Sequence, residues 1–191
     1  MINLQKSLIC LVLLAFVSCT TMSGGKESLG SSNPIIMDIR LSVFHIPDRP
    51  YKGGWKLGHS QFIKGKYAIE EYVPKDESIE SWSRLYTEQT LARISTSPAN
   101  PKDMMAGLRD LMEKRCPDVV WKVIRESEHD ILYEYYFENC PGTPSQYEIA
   151  RIIYGKWNIW RIAYTQKGAP INEQERLKWI ENLSEPRIVA Q

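Results

Sequence analysis

Histidine is scarce in this chain. His45, His59 and His129 are the only three, and they lie far apart in the sequence, with no metal-ligand spacing between them. His45, near the end of an apolar alternating stretch, reads as an edge position rather than a ligand. No G-x-S-x-G, G-x-x-x-x-G-K-[ST], H-E-x-x-H or G-x-G-x-x-G pattern occurs. The sequence therefore shows no nucleophile elbow, phosphate loop, zinc-binding helix or dinucleotide fingerprint. An excess of one charge is lacking too: 24 Lys and Arg face 23 Asp and Glu. Such a balance leaves no basic footprint for nucleic acid and no overall attraction to anionic lipid. No repeat recurs at a period of about 20–50 residues, as a solenoid would require. The longest apolar run, Leu8–Val17, is shorter than the roughly 20 residues that cross a bilayer as a helix.

What is present begins at that run. Lys6 is the only charge before Cys19, and the run ends in Phe16-Val17-Ser18-Cys19. Its length is that of a signal-peptide h-region. The ending resembles the lipobox of bacterial lipoproteins, Leu-(Ala/Ser/Thr/Val)-(Gly/Ala/Ser)-Cys. Val17, Ser18 and Cys19 match, and Phe16 stands where the pattern has Leu. The resemblance implies that residues 1–18 are removed and that Cys19 becomes the first residue, with a lipid on its sulfur. Several acyl chains then hold the protein, because one chain alone binds a membrane only marginally. Thr20 follows the cysteine. In lipoproteins an Asp at that place retains the chain in the inner membrane, so its absence points to the outer membrane, facing the periplasm.

Residues 20–34, TTMSGGKESLGSSNP, are rich in Ser and Gly and have little to bury. They read as a flexible tether with an r.m.s. span of about 20 Å. The domain is then 35–191. Removing residues 1–18 takes one Lys and no acid, so the mature chain stays balanced.

Four cysteines start the chain. Cys10 leaves with the signal and Cys19 is assigned to lipid. Cys116 and Cys140 remain, an even number in an exported chain. Between them, Asp118–Arg125 and Ile131–Asn139 are rich in β-branched and aromatic residues, separated by polar Glu126–Asp130. Centring a turn on Glu128 pairs Arg125 with Ile131, Val123 with Tyr133, Trp121 with Tyr135, Val119 with Phe137 and Lys122 with Glu134. Cys116 then falls opposite Cys140, which predicts a structural disulfide. A slip of one residue would destroy both the apolar face and the cysteine pairing. Asp118 opposite Glu138 counts against this register. A redox pair would call for C-x-x-C, which is absent, and no His lies near either cysteine as a metal site would need.

Elsewhere, Asp38–Ile46, Lys56–Ile63 and Tyr67–Val73 read as strands. Ile79, Trp82 and Leu85 have helical spacing after Ser78, while Leu85–Ile94 fits helix or strand. Asn100-Pro101 starts a helix with Asp103 near its positive end and Met104, Leu108 and Leu111 inward, helped by Met105 and Met112. Tyr147–Tyr154 and Ile159–Thr165 form a hairpin. Asn172 and Glu175 cap a last helix over Gln174–Asn182, with Leu177 and Ile180 inward. Glu70 and Glu71 are strand neighbours on opposite faces, so they make no dyad. Glu148 and Asp130 read as solvated surface, with a buried acid as the alternative for either.

The order predicts an α+β domain: an antiparallel sheet of hairpins packed with about three helices. The stretch EYVPKDESIESWSRLYTEQT resembles the strand–helix entry of Mog1/PsbP/DcrB-like domains, where an exP…W…T pattern occurs. The resemblance implies a sandwich architecture and a role in binding partners or assisting assemblies. It carries no catalytic residues, and neither cofactor nor metal is expected. The partners expected are the membrane, through the lipid on Cys19, and other envelope proteins. Two readings stand beside a binding or assembly module: a periplasmic carrier of a small ligand, and a hydrolase built from scattered residues.

Overall fold

A computed structural model describes residues 44–45, 53–168, 171–184 and 187–188. The expectations for Cys10, Cys19, the signal segment, the tether and most of the Asp38–Ile46 strand lie outside the described residues. Two short strands, β1 (Phe44–His45) and β9 (Arg187–Ile188), pair antiparallel. The remaining strands are β2 (Trp55–Ile63), β3 (Tyr67–Pro74), β4 (Arg84–Ala92), β5 (Val120–Glu126), β6 (Asp130–Phe137), β7 (Gln146–Tyr154) and β8 (Asn158–Lys167). They form one seven-stranded sheet in the order β2-β3-β4-β8-β7-β6-β5, with every pair antiparallel.

Two helices join these strands, α1 (Pro101–Arg115) and α2 (Glu173–Ser184). The first three strands form a meander. Helix α1 then carries the chain to the far edge, and β5 to β8 step back until β8 closes on β4. The fold is α+β, with two helices among the described residues rather than about three.

The expected helix at Ile79–Leu85 is not formed. The Glu77 carboxylate accepts hydrogen bonds from the Ser83 backbone N–H and hydroxyl, folding the segment into turns. Leu85 enters β4, a strand hydrogen-bonded on both sides and buried on both faces at Leu85, Tyr86 and Thr87. The helical spacing of three apolar residues is outweighed by the ladders that β3 and β8 offer. Trp82 instead packs under Lys167, whose Nζ lies 3.8 Å from the ring centroid.

Helix α1 starts as its sequence dictates. Asn100 caps it, its Oδ1 accepting the Asp103 N–H at 2.9 Å, and Pro101 needs no donor in the first turn. Met104, Met105, Leu108 and Met112 are buried, while Leu111 lies at the margin of the stripe. Helix α2 is capped by Asn172, which accepts the Glu175 N–H at 2.9 Å. Its inward residues are Trp179 and Leu183. Leu177 is exposed and Ile180 half-buried, so the expected inward pair is displaced. The displacement has a cause: the Trp179 ring stacks on Tyr164 at 4.1 Å and on Tyr86 at 5.9 Å, which turns that side of the helix to the sheet.

The two helices take opposite faces. Trp179 and Leu183 join Tyr86, Ile149, Ile162 and Tyr164 in one apolar cluster under α2. Tyr154, of the other parity on β7, sends its hydroxyl to the Pro98 carbonyl beside the start of α1 at 3.2 Å. Charges fasten α2 at both ends. Arg176 donates to Glu134 at 2.7 and 2.8 Å. Arg151 donates to the carbonyls of Leu183 and Ser184 at 3.1 and 2.9 Å, where the helix end is negative. Arg151 also pairs with half-buried Asp130 at 3.1 Å. Asp130 is therefore a bound acid rather than a solvated one.

The β5–β6 hairpin has the expected register through its middle: Trp121↔Tyr135, Lys122↔Glu134 and Val123↔Tyr133. Near the turn it differs. Ser127 N–H bonds the Asp130 carbonyl at 2.8 Å, making a tighter turn, and Arg125 pairs with Leu132 rather than Ile131. An irregularity between Val123 and Arg125 absorbs the difference, and Ile124 packs on the α2-side cluster. Val119 lies just before β5 rather than in it.

Candidate functional site

Cross-strand partners share a face, so the registers define rows of side chains across the sheet. On the α1 face one row runs His59, Glu71, Thr87, Ala163, Ala150 and Tyr133. To one side lie Gln89 and Arg161, and to the other Thr165, Glu148 and Tyr135. All of these except His59 are buried, most of them almost completely. A polar patch therefore sits inside a sheet whose other face is mainly aromatic and aliphatic, with Glu134 and Arg151 as the buried charges that hold α2.

Its centre is an ion pair. Arg161 Nη2 bonds Glu148 Oε1, with the two side chains 5% and 0% exposed. Arg161 also donates from Nη1 to Gln89 Oε1 at 3.2 Å and from Nε to the Tyr133 hydroxyl at 3.4 Å. Glu148 accepts from Thr165 Oγ1 at 3.0 Å. Arg161 and Glu148 stand diagonally across the Ala163–Ala150 pair. Only methyl groups lie at that crossing, which leaves room for the ion pair to pass over it. The sequence expectation of a solvated Glu148 is corrected: its strand is buried on both faces, and a charge there must be paired.

Burial disfavours the Arg161 charge, but Glu148 and the two tyrosines outweigh it and hold the guanidinium protonated. Burial also raises the hydroxyls of Tyr133 and Tyr135, the second the more strongly. Glu71 is different. It is 1% exposed, and desolvation pushes it up to about 7 against the countering charge of Arg161. Its Oε1 and the Oγ1 of the facing Thr87 have no hydrogen-bond partner. Arg161 is committed to Glu148, so the patch is electrically neutral when Glu71 carries a proton. Glu70, its neighbour in sequence, is exposed and accepts from Tyr72 at 2.8 Å, in keeping with the opposite faces expected of the pair.

Chemically, this arrangement spends its strongest groups on one another. The guanidinium has carboxylate, amide and phenol partners and offers little to an anion. Uncommitted atoms remain on Glu71 and Thr87, and on Trp121, whose Nε1 has no hydrogen-bond partner beside Tyr133 and Tyr135. Among the described residues no group of three or more His, Cys, Asp or Glu could hold a metal ion.

Cys116 and Cys140, the predicted pair, are brought together, with sulfurs at bonding distance and Cα atoms 4.7 Å apart. Cys116 is the C-cap of α1, its N–H bonding Met112 O at 2.7 Å, and Cys140 bridges to Thr143 after β6. The link thus joins a helix end to a strand end as well as closing the hairpin. Asp118 does not oppose Glu138 at a cost: its carboxylate accepts the Asn139 N–H at 2.9 Å. Cys19, the predicted lipid site, lies outside the described residues.

Sequence reasoning missed Arg161, Gln89 and the paired state of Glu148. The available signal was local: Glu148 and Arg151 stand inside the largely apolar QYEIARIIY, and Arg161 interrupts the apolar stretch IWRIAY of NIWRIAYTQK. No family model matches the chain, and no curated protein matches it.

Proposed function

We propose that the protein is a lipid-anchored component of a bacterial cell envelope whose domain binds or scaffolds partners rather than catalysing a reaction. The observation that carries this reading is the apolar run ending in Val17-Ser18-Cys19. The Cys116–Cys140 pair at bonding distance supports it, because disulfides persist in oxidising compartments outside the cytosol. The non-catalytic part is supported by the chemistry of the α1 face, where Arg161 and Glu148 bind each other out of reach of water. An antiparallel sheet with a helix on each face, entered through Glu71-Tyr72-Val73-Pro74, favours a sandwich similar to Mog1/PsbP/DcrB-like domains. The lack of Asp after Cys19 favours the outer membrane.

A second reading has one observation behind it. The partnerless Oε1 of Glu71 and Oγ1 of Thr87 face each other in a buried row, as they would in a carrier of a small polar ligand.

Crosslinking in intact envelopes tests the first reading. The anchored chain should yield a discrete protein adduct that a Cys19→Ser chain loses. Native mass spectrometry of the same preparation tests the second. A small molecule released on denaturation, without any protein adduct, would replace the first reading with the second.

A further inference from the structure

Three loops meet at one end of the sheet: the β2–β3 turn, the segment leaving β4, and the β7–β8 turn. Backbone bonds tie them together. Ala92 N–H bonds Lys66 O, and Arg93 N–H bonds Trp157 O, each at 2.8 Å. Residues 63–66, 92–100 and 154–158 contain Lys64, Lys66, Arg93 and Lys156, and no Asp or Glu. All four basic residues are exposed. Arg93 bonds only carbonyls, those of Gly155 at 3.1 Å and Ala99 at 3.2 Å, so its charge meets no carboxylate there.

The same loops hold large apolar side chains in water. Ile63 is 38%, Ile94 60% and Trp157 50% exposed, and Lys156 Nζ lies 4.9 Å from the Trp157 ring centroid. The nearby acids are mostly occupied. Asp103 bonds its cap residue Asn100, Glu126 pairs with Lys102, and Asp130 with Arg151. Glu128 sits beyond them in the β5–β6 turn. A chain balanced overall is thus unbalanced locally.

We propose that this end of the sheet docks on an anionic phospholipid surface. The four cations meet the headgroup charge, and Trp157, Ile94 and Ile63 enter the interface, where an indole with one polar edge is favoured. The apolar tips decide between a bilayer and a soluble polyanion, which would use the cations alone. The contact rests on the lipid-anchor reading only for which membrane is met, since the attraction belongs to the domain's own loops.

Vesicle flotation of the full chain carrying Cys19→Ser, without attached lipid, tests it separately from the anchor. Phosphatidylcholine vesicles with and without phosphatidylglycerol are compared. The Leu8–Val17 run is present in every sample, so the difference between the two vesicle types isolates the patch. Anionic vesicles should bind more chain, and added salt should remove the difference. Lys64→Glu with Lys156→Glu should weaken anionic binding at least 25-fold, at about fivefold per lysine. Ile94→Ser with Trp157→Ser should weaken binding while preserving the salt dependence. These residues are exposed, and unchanged thermal melts would confirm intact folding. Equal binding to both vesicle types overturns the proposal. So does an apolar double variant that binds like the unaltered chain, which would mark the partner as a soluble polyanion.

Discussion

Glu71 shows how one residue can make the stability of this domain depend on pH. Its carboxyl has an ordinary value of 4.5 and is raised to about 7 in the fold by burial, against the charge of Arg161. Below about pH 4.5 both folded and unfolded chains carry the proton, and its contribution is fully present. Between about 4.5 and 7 the unfolded chain ionises while the folded one does not, so stability falls as pH rises. The total loss is on the order of 3 kcal/mol. Denaturant melts across this range should show that slope, and Glu71→Gln should flatten it. A slope unchanged by the substitution would mean that the proton is held elsewhere. The Arg161–Glu148 pair is closed on itself instead: the Glu148 carboxylate outweighs the burial that disfavours the Arg161 charge, and Ala150 and Ala163 leave the space the pair needs.

At the level of elements, the Cys116–Cys140 link can be isolated from the sheet it serves. It joins residues 24 apart, closing a loop whose loss should cost roughly 3–4 kcal/mol in the loop-entropy account. Reduction should therefore lower the melting temperature while leaving far-ultraviolet dichroism near native, because Trp121 still packs on Tyr133 and Tyr135 at 5.4 and 4.6 Å. Loss of the sheet on reduction would contradict this. The middle of the hairpin was legible in the sequence because its signal is local, alternation and two cysteines agreeing on one register, while the turn closed differently and shifted the pairing of Arg125. Both helix starts were legible through Asn100 and Asn172. The false helix at Ile79–Leu85 arose where three apolar residues had helical spacing and the competing hydrogen bonds came from strands distant in sequence. Arg161 was missed for the same reason, since its partners Gln89 and Glu148 lie on other strands. Gly155 shows a quieter constraint: a Cβ there would run into the Trp160 ring, so the β7–β8 turn takes its shape from packing as well as from turn chemistry.

At the scale of the whole molecule, the proposed anchor at Cys19 and the proposed tether over residues 20–34 would hold at a membrane a domain whose buried charges are paired with one another. The formal charge of +1 gives no hint of the basic loops at one end of the sheet, because acids elsewhere balance them. Composition could show only the sum. The central claim is the anchor, and intact-mass and peptide mass spectrometry of protein purified from envelopes tests it most directly. The account predicts a mature chain beginning at Cys19 with a diacylglyceryl thioether on its sulfur and an acylated amino terminus. A chain that begins elsewhere, or a Cys19 with no lipid, would contradict it.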